Sequence, residues 1–344
     1  MALVLLIPSS GGRRLAELRR HPILGEWVVI CPEMEDYLSE RCQAPCLYCH
    51  GNEDSCGVEI YSIEAPSGNG SSDGRIRVVA GSPPLFQIEG GLGKHAVGMC
   101  DCMQSVGAHE IVIESPVHDA DLDSLDDETL CGIFDVLRSR SADLARDHRF
   151  RHISIFKLNA CNDSGNRVHP VWDIVATPFI PRMIKDELRG AKQYFLHKER
   201  CAFCDYTRQE AAARERVIFQ DPHTIAILPY AARFPFEIWL LPLRHSPDFG
   251  AASGDESLSA ARSLKRLVTA LKQLEHYKGY MISLHSAPVR RAKAGAWETI
   301  DQDYHWHMEL KPRLNGVDGV HESAGFHMNS MPSEEAACIL RDLI

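Results

Sequence analysis

Cys46 and Cys49, and again Cys201 and Cys204, form Cys-x-x-Cys pairs in this 344-residue chain. A turn with that spacing brings two thiolates to one point, and zinc takes four sulfur or nitrogen ligands in a tetrahedron. Two histidines follow each pair at matched places: His118 and His169 after the first, His245 and His305 after the second. A lone Cys-x-x-Cys is evenly balanced between a metal site and free thiols. Here the same four positions recur in the same order, which chance explains poorly. Two zinc sites are therefore expected. Each is complete at four ligands, with no position left for water, and so is structural.

The last histidine of each set opens a stretch with the alternation of a strand, in which every second side chain shares a face. In Tyr304-His305-Trp306-His307-Met308-Glu309 the residues sharing a face are His305, His307 and Glu309. In His169-Pro170-Val171-Trp172-Asp173 they are His169, Val171 and Asp173. One stretch thus carries a second imidazole where the other carries valine. A neutral imidazole can attack phosphorus or take a proton near neutral pH. His307 is a candidate nucleophile, with Glu309 beside it as base or orienter. A structural role for His307, in packing or a hydrogen bond to the strand, is the plainer alternative. Asp173, in a partly apolar site, is a candidate acid or base, and Trp172 beside it would shape the pocket. Asn166 and Arg167, in the loop before, are candidate anion contacts, although an exposed loop arginine is more often only solvated. His50, His95, His148, His197 and His223 read as ordinary residues.

The elements that hold these residues repeat as well. Strands are expected at Trp27–Ile30, Arg75–Val79, near Ala108–Glu114 and at His152–Lys157, then at Thr224–Leu228, near Phe236–Leu241 and at Tyr280–His285. From Asp126 to Arg149, Leu130, Ile133, Phe134, Leu137 and Leu144 fall on one helical face. Ser257 to His276 is the matching helix, and a charged helix-like segment runs from Pro181 to Glu199. Ala65–Asp73, Gly90–Gly98 and Asn159–Val168 read as loops. Phe236–His245 aligns with His109–His118. The unit is Cys-x-x-Cys, a strand ending in His, a helix, a strand, and a strand starting with His; it occurs twice. The fold class is α+β: two tandem repeats, 1–192 and 193–344, joined around Gln193, each an antiparallel sheet with helices on one side, zinc-stapled and related by a pseudo-twofold.

A net charge of −10, from 37 Lys+Arg against 47 Asp+Glu, argues against charge-driven nucleic-acid binding but leaves room for a local basic pocket. Met1–Pro8 is too short for a signal sequence and no run approaches a membrane span, so a cytoplasmic protein is expected. In that compartment the 12 cysteines are metal ligands or free thiols rather than disulfides.

These motifs together resemble the galactose-1-phosphate uridylyltransferase family, within the histidine-triad superfamily. The resemblance spans nearly the whole chain. It is carried by Arg20-His21-Pro22 to Trp27-Val28-Val29, the Cys46/Cys49 knuckle with Gly51-Asn52-Glu53, and Glu114-Ser115-Pro116 to His118-Asp119. It continues in Ala176-Thr177-Pro178-Phe179-Ile180-Pro181, Cys201/Cys204, Pro242-Leu243-Arg244-His245 and Tyr304-His305-Trp306-His307. The resemblance implies two histidine-triad-like repeats, zinc at the positions above, packing as a homodimer, and small-molecule substrates. The implied reaction is transfer of a nucleotidyl group between a nucleoside diphosphate sugar and a sugar 1-phosphate. In that family the first repeat reads His-Pro-His-x-Gln; its second histidine attacks the α-phosphorus and becomes nucleotidylated, and the glutamine holds the phosphate. Here those positions are Val171 and Asp173, and Asp163-Ser164-Gly165-Asn166-Arg167 replaces a Gly-Ala-Ser-Leu-type run. Valine cannot form the intermediate, and a carboxylate repels phosphate. Three readings follow: nucleotide-sugar chemistry through His307, a repurposed lyase, hydrolase or transferase around Asp173, or a non-catalytic nucleotide-binding protein.

Overall fold

The computed structural model describes residues 16–31, 46–64, 75–81, 85–160, 168–290, 297–314 and 326–344. Asn166, Arg167, Met1–Pro8 and the segment Ala65–Asp73 lie outside them. The strands of the first half are β1 (Glu17–Arg20), β2 (Trp27–Ile30), β3 (Glu59–Glu64), β4 (Arg75–Ala80), β5 (His95–Val97), β6 (Cys100–Gln104), β7 (Ala108–Ile113), β8 (His152–Ala160) and β9 (Val171–Thr177). Those of the second are β10 (Val217–Gln220), β11 (Thr224–Ile227), β12 (Ile238–Pro242), β13 (Tyr277–His285) and β14 (His307–Leu314).

The two repeats are visible in the strand order β10-β11-β12-β14-β13-β8-β9-β7-β4-β3. Read outward from the middle, β8-β9-β7-β4-β3 mirrors β13-β14-β12-β11-β10. The two antiparallel sheets expected from the sequence are therefore halves of one ten-stranded sheet. They join where β8 pairs with β13, with Phe156 opposite Ser283 and Leu158 opposite Met281, so neither half leaves its inner edge unpaired. A separate four-stranded sheet, β2-β1-β6-β5, flanks the first half. The glycine-rich stretch 90–98, expected to be a loop, contributes β5 to it, because His95–Val97 pairs with β6.

Helices cover both faces of the large sheet, not one. On one face lie the helices Asp127–Leu144 and Gly254–Leu271, whose buried stripes (Leu130, Ile133, Phe134 and Leu137; Leu264, Leu267, Val268 and Leu271) meet Trp172, Ile174, Met308 and Leu310. Each starts later or earlier than its apolar pattern suggests because a side chain fixes its first turn. Asp126 accepts from Thr129 N–H, and Ser253 forms a capping box with Glu256. On the other face, the helices Arg182–Lys198 and Ala202–Ala213 bury Ile184, Leu188 and Phe203 against Ile225, Ile227 and Leu241. Gln193 lies within Arg182–Lys198. No helix of the described residues is long and apolar enough to cross a membrane.

Register sets which side chains share a face. β9 opens at Val171 and β14 at His307, so His169 and His305 stand just ahead of their strands. Ile111 is paired with Asp173, and Trp239 with Glu309. Trp239 is therefore the counterpart of Ile111. The alignment of Phe236–His245 on His109–His118 is out of register by one within the strand.

Candidate metal centres and active site

Among the described residues, three groups of four side chains bring their ligand atoms within 4.8 Å of one another: Cys46/Cys49/His118/His169, Cys201/Cys204/His245/His305, and Glu187/His285/His307/Glu309. The first two are the sets expected from spacing. Cys46 Sγ and Cys49 Sγ lie 3.5 and 3.6 Å from His169 Nδ1, and Cys49 Sγ lies 3.4 Å from His118 Nδ1. In the second, Cys204 Sγ lies 3.3 Å from His245 Nδ1 and 3.4 Å from His305 Nδ1. A tetrahedral zinc with ordinary bond lengths separates its sulfur and nitrogen ligands by roughly 3.5 Å.

The outer contacts agree with the donor set. His169 Nε2 donates to Ser115 O, His245 Nε2 to Asp301 O and His305 Nε2 to Pro242 O, at 2.9, 3.0 and 3.0 Å. Each bond fixes the tautomer that leaves Nδ1 free for a metal. Burial holds His169 down to about 4, which keeps it neutral. Without an ion one thiol of each pair is held protonated: burial and the neighbouring Cys46 push Cys49 up to about 11, and the hydrogen bond to Cys204, with burial, pushes Cys201 up to about 12, while that same bond lowers Cys204. A cation at the centre reverses that balance. The two groups fit zinc. A cavity of about 1040 Å³ opens beside the second, lined by Cys204, His245, Arg200 and Arg208.

In the first half, the position that follows the last ligand by two is closed. Val171 is fully buried with Tyr48, Val79, Ile111 and Ile113 beneath the Cys46/Cys49 knuckle. Asp173 is fully buried too, and His109 Nε2 lies 2.8 Å from its Oδ1. The backbone of Gly81 comes down on that imidazole: a Cβ there would sit 2.2 Å from His109 Nδ1, so only glycine fits. Trp172, expected to shape a pocket beside Asp173, is fully buried. It points to the opposite face, into the main core, edge-on to Phe134, and its indole donates to Glu114.

The second half holds a polar centre at the matching place. The helix Arg182–Lys198 carries Glu187 over the sheet, where its carboxylate accepts from His285 Nδ1 at 2.7 Å and from Tyr304 O–H at 2.9 Å. His307 is fully buried, flanked by Phe203 and Trp239 with ring centroids at 5.0 and 5.3 Å. Its Nδ1 donates to His305 O, and its Nε2 faces Glu187 at 4.0 Å. His285 Nε2 faces Glu309 at 3.8 Å. Two imidazole nitrogens thus face two carboxylates, an arrangement that a divalent cation would satisfy. Arg233 and Lys311, each 2.6 Å from Glu309 Oε2, already supply positive charge there. Burial opposes charge on Glu309, but His285, Lys311 and Arg233 outweigh it and hold the group down to about 2. Burial pushes His307 down to about 4, so it is neutral at physiological pH.

The sequence pointed to His307 and Glu309 but not to Glu187, His285, Arg233, Lys311 or His109. His285 had a signal: it ends a strand and pairs directly with His307. Glu187 had none, because its helix connects the repeats and is matched in neither.

Residues 187–318 match the C-terminal domain of galactose-1-phosphate uridyl transferase. The chain is related to the galactose-1-phosphate uridylyltransferase family. It is 25% identical to the ADP-glucose phosphorylase of Arabidopsis thaliana over 95% of this chain and 93% of that protein. It is 24% identical to the galactose-1-phosphate uridylyltransferase of Thermotoga maritima over 95% of this chain and 98% of that one. The fold agrees along its length with a solved uridylyltransferase (TM-score 0.77, 21% identity, 95% and 98% of the two chains). It also agrees with the ADP-glucose phosphorylase from Arabidopsis thaliana solved with bound ADP-glucose (TM-score 0.71, 26% identity, 95% and 99%). Both of these relatives are enzymes.

Proposed function

We propose that this chain is an enzyme acting on a nucleotide-sugar or a related phosphorylated small molecule, without a covalent nucleotidyl-histidine at position 171. One observation carries the reading: Val171 is sealed beneath the first metal group, while Asp173 is locked to His109. A phosphorus atom brought there would meet methyl groups, which cannot attack it, and a buried carboxylate engaged by His109, which repels a phosphate. The full-length similarity to a nucleotide-sugar phosphorylase and to uridylyltransferases supports the substrate class.

The candidate chemistry then falls to the second half. The acceptor's oxygen would form the new bond to phosphorus directly, and the sugar phosphate would leave with the electron pair. His307, neutral and with its Nδ1–H held by the His305 carbonyl, keeps a lone pair on Nε2 for a proton. Glu309, ionised well below neutral pH, orients Arg233 and Lys311 rather than accepting a proton. Zinc at the two cysteine–histidine groups would fix the loops that precede β9 and β14.

The test is incubation with a panel of nucleoside diphosphate sugars, with intact-protein mass spectrometry and phosphorus NMR of the small molecules. Turnover with no gain in protein mass is expected. A stable gain of one nucleotidyl group would overturn the direct route, and mapping it to His307 would restore the covalent one. Saturable binding without turnover would favour a non-catalytic protein, and neither binding nor turnover would overturn the substrate class.

A further inference from the structure

A cavity of about 380 Å³ lies beside the polar centre of the second half, within the size range of small-ligand sites. Phe203 and Tyr206, Trp239, Tyr230 and Glu187 form its walls. Phe203 and Trp239 are the rings that flank His307. Tyr206 stands edge-on to Trp239 at 6.2 Å, and its hydroxyl accepts the Tyr230 N–H at 2.7 Å, which fixes the loop over the opening.

The first half fills the corresponding place. Tyr48 is the counterpart of Phe203 by its place inside the Cys-x-x-Cys turn, and Ile111 and Val171 are those of Trp239 and His307 by strand register; all three sit in one closed apolar cluster. Where one half is packed shut, the other lines an opening with aromatic rings. Among the described residues, Glu187 is the one charged residue of the lining. Burial opposes its charge, but the hydrogen bond from His285 outweighs it and holds the carboxyl below its ordinary range. Each of its oxygens accepts one bond, from His285 and from Tyr304, and retains a further lone pair.

The geometry points to this cavity as the seat of a nucleotide's base, specifically a planar heteroaromatic ring with an amino group. Aromatic walls stack on any such ring, and the Glu187 carboxylate accepts an amino N–H. A phosphate would meet no cation among the lining residues and would be repelled by Glu187, so the phosphate end lies outside. An organic cation fits less well, because Tyr230 already carries Arg216 over its ring, with the guanidinium carbon 5.1 Å from the centroid. This assignment rests on the nucleotide reading above and places the base in the second half.

The experiment is titration of the full chain with AMP, CMP, GMP, UMP, adenosine and ribose 5-phosphate, by calorimetry and tryptophan fluorescence, in the wild type and in Ala231→Trp. Ala231 is an exposed residue of the rim, so the bulkier side chain fills the opening without removing a core contact. An amino-bearing nucleotide should bind roughly tenfold or more tightly than UMP and ribose 5-phosphate, and Ala231→Trp should weaken it by a similar factor. Tyr230→Ala, at another exposed wall residue, gives the same reading should Ala231→Trp fail to fold. Equal nucleotide binding in wild type and variants would overturn the cavity assignment and leave the substrate class standing. Equal affinity for ribose 5-phosphate or UMP would overturn the base or its amino contact. Adenosine bound in the cavity, with no nucleoside diphosphate sugar bound or turned over, would keep this site and sink the proposed function.

Discussion

The two halves of this chain share five strands in the same order and a cysteine–histidine group at the same corner, yet differ two and four residues beyond the last ligand. The first half has Val171 and Asp173. One is packed under the knuckle, and the other is held by His109 against a glycine backbone. The second half has His307 and Glu309, facing Glu187 and His285 and backed by Arg233 and Lys311. Both halves pair the strand carboxylate. The first uses a single imidazole in a closed cluster; the second uses two long cations that are still partly exposed. A duplicated scaffold can thus close one copy and leave a polar centre with an adjoining cavity in the other, while the cysteine–histidine groups beside both stay alike.

The comparison breaks most visibly through the metals. Structural zinc contributes on the order of 10 kcal/mol of apparent binding energy at neutral pH, comparable with the whole stability of a domain. Cys46→Ser and Cys201→Ser should each remove one equivalent of zinc by elemental analysis and unfold the half concerned. Unchanged metal content in either variant would refute that group. Chelator should strip the second group first, because a large cavity opens onto Cys204 and His245. The reverse order would mean that the first half is the more open one.

Next in size is the lock on the first half. His109→Ala removes the partner that faces the fully buried Asp173 carboxylate and should destabilise the chain by about 3 kcal/mol in urea unfolding. Adding Asp173→Asn should recover part of that loss, since the charge goes with its partner. Glu309→Gln should lose only about 1 kcal/mol, because an acceptor remains and Arg233 and Lys311 can reach water. Equal losses in both halves would erase the distinction between a closed and an open centre.

The sequence spoke clearly where the chemistry was local. Cys-x-x-Cys with histidines in matched order located both cysteine–histidine groups, and two-residue alternation located β7, β8, β9 and their counterparts. It was silent where the contact depends on register or on an unrepeated segment. The His109–Asp173 pair needs the knowledge that Ile111, not His109, lies opposite Asp173, which leaves His109 as the diagonal neighbour on the same face. Glu187 reaches the second centre from the helix between the repeats. His169 and His305 looked like strand residues because alternation does not reveal where pairing starts, and both lie ahead of it.

Acid should sharpen the comparison further. Burial holds His307 down to about 4, and burial with the nearby His285 holds His152, on β8 at the seam, down to about 3. Both are neutral when folded, whereas an unfolded histidine binds a proton below about 6.5. Between that value and the folded pKa the unfolded chain binds more protons, so stability falls as pH falls. By pH 5 the loss should be roughly 2 kcal/mol for each residue. Glu309, held at about 2, adds a later loss below the ordinary carboxylate range. His307→Gln should flatten the slope of stability against pH in the first window and leave the second. An unchanged slope would mean that His307 is protonated in the fold and belongs with Arg233 and Lys311 as a cation.

The smallest effect concerns how each helix is tied to its metal group. Asp126 caps the helix Asp127–Leu144 through Thr129 alone. Ser253 caps Gly254–Leu271 in a full capping box, and its partner Glu256 also grips Arg244, the residue before the ligand His245. Either cap replaced by alanine should lose about 1 kcal/mol of stability. Ser253→Ala should in addition speed the release of zinc from the second group, because freeing Glu256 from the helix start loosens Arg244 and with it His245. Asp126→Ala has no such path to His118. Equal zinc release from the two variants would show that the cap stabilises its helix without steadying the ligand beside it.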